Sequence, residues 1–359
     1  MARPAVARID LRAIRHNYRT AKRLSPGARA VAVVKADAYG HGAVAVARAL
    51  EAHADAFAVA SVEEAMELRD SGIRRPILLL EGVFEPSELA LTDRVRLTPV
   101  VHSLQQLEWL LQARPAHALD VWLKMDTGMH RLGLTPKDFA LAFRALADCP
   151  HVGSVVAMTH LARADEIHND ATPRQLALFL RHVEDIRVPR SLASSAGILA
   201  WPATHEQWVR PGIMLYGATP VGAAHPHSAL LHPAMRLESA LISIRDLAAG
   251  ESIGYGGRFV CRKATRVGVV AVGYADGYPR HARDGTPVSV NGRRSQLIGR
   301  VSMDMITIDL TDIPDVRVGD RVQLWGDLVD ANEVAAASDT IAYQLFTGVA
   351  RVRRQWSGE

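Results

Sequence analysis

Six polar side chains stand where short apolar runs end. Lys35 follows Ala30–Val34, and Lys124 closes Val121–Lys124. His160 follows Val155–Thr159, Ser194 and Ser195 follow Ser191–Ala193, and Arg210 follows Gln207–Val209. Lys35 is the candidate nucleophile, because Val31-Ala32-Val33-Val34 delivers its amine from an apolar strand. An amine in such surroundings loses part of its preference for charge, as Schiff-base formation with a carbonyl cofactor requires. The alternative is a lysine that snorkels to water.

Arg210-Pro211-Gly212-Ile213 reads as a strand end running into a helix start, with proline in the first turn. Backbone N–H groups at a helix N-terminus bind phosphate, and Gly212 permits close approach. The Ser194 and Ser195 hydroxyls would add donors. An ordinary strand-to-helix turn has the same appearance.

These residues need elements to position them. Over the first two thirds of the chain a short apolar run is followed by a helical pattern, again and again. The runs are Ala30–Val34, Ala56–Ala60, Ile77–Leu80, Leu97–Val101, Val121–Lys124, Val155–Thr159, Ser191–Ala193 and Gln207–Val209. Strands alternating with helices predict a parallel sheet with crossover helices. Eight units predict an α/β fold closed as a (β/α)8 TIM barrel, whose chemistry gathers at the C-terminal ends of the strands. An open doubly wound sheet would want a GxGxxG turn after its first strand. Val34-Lys35-Ala36-Asp37-Ala38-Tyr39-Gly40 is not one.

Beyond about residue 230 strand-like runs dominate: Ser239–Ile244, Arg266–Val272, Pro287–Val290, Ile306–Leu310 and Arg321–Leu324. Asp276-Gly277, Asp284-Gly285 and Asn291-Gly292 separate them as turns. The reading is a barrel over 1–230 and a smaller, mainly antiparallel β domain over 231–359, with one helical segment over Ala331–Gln344.

The chain has 359 residues, 48% of them hydrophobic, which suffices for two cores. Its net charge of +4 is scattered, apart from Arg351, Arg353 and Arg354, so no nucleic-acid groove is expected. Cys149 and Cys261 make neither a disulfide framework nor a metal site. No apolar h-region or membrane span is visible, and the expected compartment is the cytoplasm.

Seven blocks, in order, carry a family resemblance. Ala32-Val33-Val34-Lys35-Ala36-Asp37-Ala38-Tyr39-Gly40-His41-Gly42 resembles the pyridoxal-phosphate attachment signature of alanine racemases. Lys124–Gly133, Arg210–Gly217, Ile253–Gly256, Gly273–Arg280, Gly299–Asp304 and Ile341–Leu345 resemble the later blocks. The resemblance implies that Lys35 carries pyridoxal 5'-phosphate through a Schiff base. It implies that Tyr39, Ser195, Gly212, Ile213 and Tyr343 hold the phosphate, and that Arg210 faces the pyridine nitrogen with His160 nearby. It places Arg131 on the substrate carboxylate and the cofactor phenol. Tyr255 and Met303 would reach the site from a second subunit, which implies a homodimer with shared sites. Lys124 is carbamylated in several members, and Asp165, Tyr274, Arg300 and Ile341 resemble residues of the access corridor. Ser194, Ser302 and Gln344 replace a frequent Asn, Cys and Glu, and His130 is smaller in some relatives.

The chemistry implied is interconversion of L- and D-alanine. A proton must leave Cα on one face and return on the other, so two bases on opposite faces are required. Lys35 suits one face and the Tyr255 phenol the other. Both groups ordinarily titrate near pH ~10, so neighbouring cations must ease their deprotonation. Alternatives are a racemase of broader side-chain range, a decarboxylase of the same cofactor class, and a non-catalytic pyridoxal-phosphate carrier. The last would not need residues 231–359. The resemblance suits both D-alanine supply for the cell wall and alanine breakdown.

Overall fold

The computed structural model describes residues 3–358, which form two compact units. One unit comprises residues 14–38 and 42–231, and the other the first 13 residues, 39–41 and 232–359.

In the second of these, β1 (Val6–Asp10) belongs to an eight-stranded sheet. The reading of the sequence put residues 1–230 with the barrel, and β1 corrects it. Its backbone pairs antiparallel with the strand at Met235–Leu247 and parallel with the one at Arg353–Ser357. Helix α1 (Leu11–Leu24) follows.

The other unit holds the closed barrel: β2 (Arg29–Val33), β3 (Ala56–Val59), β4 (Ile77–Leu79), β5 (Leu97–Val101), β6 (Leu119–Lys124), β7 (Val152–Met158), β8 (Arg190–Ser194) and β9 (Trp208–Arg210). Every neighbouring pair is parallel, and β9 closes on β2. β3 and β4 are buried at every position, as expected of strands covered on both faces.

Between the strands run α2 (Lys35–Gly40), α3 (Ala43–Leu50), α4 (Val62–Asp70), α5 (Glu88–Arg94), α6 (Leu104–Gln112), α7 (Pro136–Ala147), α8 (Ala171–Val183) and α9 (Ser195–Ala200). Helix α7 shows the local logic. Thr135 accepts from the Asp138 N–H, Pro136 occupies the first turn, and Phe139, Ala142 and Leu146 fall on one buried face. That face packs with Val121, Leu123, Val155, Ala157 and Leu192 of the strands and with Phe179 and Val183 of α8. Phe139→Ala there would cost about 3–5 kcal/mol.

Helix α2 is the exception. Ala36, Asp37, Ala38 and Tyr39 all have φ of 52°, so the turn after β2 is left-handed. Such a turn costs an L-residue about 1–2 kcal/mol. Patterning predicted a helix from about His41, and that helix begins at Ala43 as α3.

The eight-stranded sheet also contains β10 (Met235–Leu247), while β11 (Ser252–Ile253) and β12 (Phe259–Val260) form a separate hairpin. β13 (Thr265–Val270), β14 (Pro287–Val290), β15 (Arg293–Gln296), β16 (Ile306–Asp309), β17 (Arg321–Trp325) and β18 (Arg353–Ser357) complete the sheet. Among the described strands of this sheet, only the β1 and β18 pairing is parallel. The single helical segment expected over Ala331–Gln344 is two short helices, α10 (Ala331–Ala336) and α11 (Ala342–Thr347). Asp339 between them has φ of 53°, which a continuous right-handed helix excludes. Among the described residues no helix is long and apolar enough to cross a membrane.

Candidate active site

The C-terminal ends of the barrel strands carry the polar residues singled out from the sequence. Lys35 opens the left-handed turn after β2 instead of ending the strand. Ala38 N–H closes that turn on the Val34 carbonyl at 2.8 Å, and Gly42 N–H returns to the Asp37 carbonyl at 2.9 Å. The Asp37 carboxylate accepts from Ala43 N–H at 2.7 Å and so starts α3. Glu64, on α4, accepts from Ala36 N–H and from Ala60 N–H, both at 2.7 Å. Tyr216 donates its hydroxyl to the Val33 carbonyl at 2.8 Å. The approach to Lys35 is therefore tied down on each side.

Arg210, 3% exposed at the end of β9, donates to Ser191 Oγ at 2.6 Å, Thr159 O at 2.8 Å and Leu192 O at 3.1 Å. Its Nη2 also lies 3.2 Å from His160 Nδ1. Burial lowers the Arg210 pKa to about 10, which leaves it charged at neutral pH. Burial first, then Arg210, Lys124, Arg131 and Lys35, push His160 well below its usual value. Lys124 at the end of β6 is lowered to about 8 by burial, then by Arg210, Arg131 and Lys35, while Asp126 opposes.

The loop beyond Lys124 is shaped by Asp126. Its Oδ1 accepts from the N–H groups of Gly128, Met129 and His130. Gly133 lies at φ of 133°, and a Cβ there would stand 2.6 Å from Asp126 N. This fold of the chain presents Arg131.

Ser195 opens α9, and its Oγ accepts from Gly212 N–H at 2.9 Å and Met214 N–H at 3.3 Å. The helix expected after Arg210 is a single 3-10 turn, Ile213–Tyr216, with Gly212 as its cap. Pro211 therefore precedes the cap and does not occupy the first turn.

The structure thus brings Lys35, Lys124, Arg131, His160 and Arg210 into mutual electrostatic reach, and Ser195 into contact with Gly212 beside Ile213. Tyr39, Tyr343, Tyr255 and Met303 belong to the β-rich unit. There the Tyr39 and Tyr343 rings lie 5.8 Å apart, and burial pushes the Tyr39 phenol up to about 12. Tyr255 is 68% exposed and Met303 52% exposed.

Reading the sequence missed the supports. Buried Gln175 of α8 donates to Thr127 Oγ1 and the His160 carbonyl and accepts from Ala162 N–H. Thr127 in turn bonds Thr159 at 2.8 Å. Nothing in spacing marks a glutamine on an amphipathic helix as such a brace. Asp126 lay within a recognised block, and its loop-capping part is what the Asx-turn chemistry of aspartate allows.

Residues 9–220 match the alanine racemase N-terminal domain family, and residues 234–356 match its C-terminal domain family. The chain belongs to the alanine racemase family. Among its relatives, a catabolic alanine racemase of Pseudomonas putida is 57% identical over 99% of this chain and 100% of its own length. The alanine racemase of Pseudomonas taetrolens is 56% identical over 99% and 100%. The crystal structure of the biosynthetic alanine racemase from Pseudomonas aeruginosa superposes with a TM-score of 0.96 at 50% identity, covering 99% of this chain and 100% of that one. A family structure from Bartonella henselae, described with covalently bound pyridoxal phosphate, gives 0.89 at 31% identity, covering 99% of each chain.

The donor set here fits that cofactor. Lys35, Lys124, Arg131 and Arg210 converge, and Asp126 is the acid whose field opposes them at Lys124. Such a surplus of positive charge suits a ligand carrying a phosphate, with a substrate carboxylate beside it. Lys35 supplies the primary amine an aldehyde requires.

Proposed function

We propose that this chain interconverts L- and D-alanine with pyridoxal phosphate, using Lys35 and Tyr255 as the two bases, as a cytoplasmic homodimer with shared sites. The observation that carries the reading is the convergence of Lys35, Lys124, Arg131 and Arg210 at one barrel mouth, in a chain of this family.

Pyridoxal phosphate, when bound, withdraws electrons from the substrate and weakens its Cα–H bond. Lys35 would attach it, while Ser195 and the Gly212-Ile213 backbone, with Tyr39 and Tyr343, would hold the phosphate. Arg210 would face the ring nitrogen. An arginine donates a hydrogen bond there without surrendering its proton. The neutral His160, 3.2 Å from Arg210 Nη2, would help to keep the guanidinium oriented.

Arg131 would orient the substrate carboxylate. Lys35 then takes or returns a proton at one face of Cα. Tyr255 serves the opposite face. It is a phenol left exposed by its own unit, which suits a base lent to a second subunit. Met303, likewise exposed, would contribute its backbone to the carboxylate. Free, buried Cys149 and Cys261 suit a reducing compartment.

Chiral chromatography of L-alanine incubated with the cofactor-loaded protein tests the reaction. Conversion toward equal amounts of the two enantiomers is expected. Cofactor retention without D-alanine would overturn it. Racemisation of serine or larger amino acids at comparable rates would instead point to a broader racemase.

A further inference from the structure

We propose that Glu64 is a positioning residue for Lys35, acting through the backbone of the left-handed turn. This rests on the reading of Lys35 as the cofactor-binding base. The turn Ala36–Tyr39 holds four successive L-residues at φ of 52°, with no glycine until Gly40. A backbone in that region persists only where its surroundings fix it. The first amide of the turn, next to Lys35, is Ala36 N–H. Its partner is a side chain from another element, the Glu64 carboxylate of α4, at 2.7 Å.

The second oxygen of the same carboxylate takes Ala60 N–H, just beyond β3, at 2.7 Å. One carboxylate thus binds the ends of two adjacent barrel strands. It sets the height of the lysine-bearing turn against the neighbouring strand. The bond from Ala43 N–H to the Asp37 carboxylate acts beyond Lys35, whereas Glu64 holds Ala36 N–H directly beside it. A glutamine at this position keeps the shape but offers one acceptor and two donors, so one of the two N–H groups would face another donor.

The test follows attachment of pyridoxal phosphate to Lys35 by quenching with borohydride at intervals and mapping the labelled peptide. The lysine amine condenses with the aldehyde and releases water, and borohydride delivers hydride to fix the bond. Compared with the unaltered protein and a Glu67→Gln control on the same helix, Glu64→Gln should slow labelling by roughly tenfold to a hundredfold. Its kcat should fall similarly, with KM for alanine little changed, since Glu64 touches no substrate. Labelling of Lys35 at equal rates in both proteins overturns the role of Glu64 alone. Labelling elsewhere in the unaltered protein overturns the reading of Lys35 and this one with it. Amide exchange of the unaltered, cofactor-free protein provides a check that needs no variant. Ala36 and Ala60 N–H should both be protected, and rapid exchange at Ala36 contradicts the clamp.

Discussion

Arg210 Nη2 lies 3.2 Å from His160 Nδ1, a contact that adds to burial in keeping His160 neutral. An arginine can only donate, so His160 accepts at Nδ1 and carries its single proton on Nε2. Protonating Nδ1 would set two buried cations against each other. The folded protein holds His160 well below 6.5, whereas the unfolded chain takes up a proton there. This group's contribution to stability is present above pH 6.5 and is lost as pH falls below it. Thermal melts of the parent and of His160→Gln between neutral and mildly acidic pH check this. The parent should lose more stability on acidification than the variant.

Arg210 donates to Ser191, Thr159 and Leu192 as well, so its guanidinium is locked by acceptors. An Arg210→Glu variant would present a group able to protonate the ring nitrogen, and would face those acceptors with a carboxylic acid. Racemisation should fall by roughly a hundredfold. Pyruvate formed per D-alanine, a measure of side transamination, should rise. An unchanged ratio would remove Arg210 from reaction specificity.

Lys124 is lowered to about 8, chiefly by burial and then by three neighbouring cations. Between pH 8 and 10.5 the unfolded chain holds this proton and the folded chain does not, so stability from this group rises with pH across that window. A neutral amine adds carbon dioxide at nitrogen and releases a proton to solvent, and the resulting carbamate would place a negative charge among Arg131, Arg210 and Lys35. NMR with isotopically labelled bicarbonate near pH 8 should show a carbamate signal that Lys124→Met abolishes. KM for alanine should rise in that variant as Arg131 loses its counter-charge.

Gly133 turns the chain back against Asp126 at φ of 133°, with room for no Cβ. Gly133→Ala should cost about 1–3 kcal/mol in denaturant unfolding. Because the Asp126 loop presents Arg131, KM should also rise. A stability loss without a KM change would separate the loop's shape from substrate binding.

The barrel was legible because β2 to β9 are short, apolar and evenly interrupted by helical patterns. Lys35, Lys124, His160 and Arg210 were legible because each sits at or just beyond a strand end. The left-handed α2 was not, since Ala-Asp-Ala-Tyr carries no sign of positive φ and the Glu64 carboxylate that binds its first amide lies 28 positions from Ala36. The helix expected after Arg210 was overread, because Pro-Gly announces a helix start but does not give its length, and the chain makes one 3-10 turn. β1 was absorbed into the barrel because pairing with β10 and β18 joins residues more than two hundred positions apart, which local patterning does not see. The hydrogen-bond network of Gln175, Thr127 and Thr159 was invisible for the same reason.

Tyr255 and Lys35 stand on different units of the chain, and the account requires them to meet across two subunits. The most direct test joins two inactive variants, Lys35→Ala and Tyr255→Ala, as a heterodimer isolated through two different tags. One site of that heterodimer has both bases and the other has neither, so about half the parent's activity is expected per dimer. An isolated heterodimer without activity, or subunits that never associate, would contradict the shared two-base site.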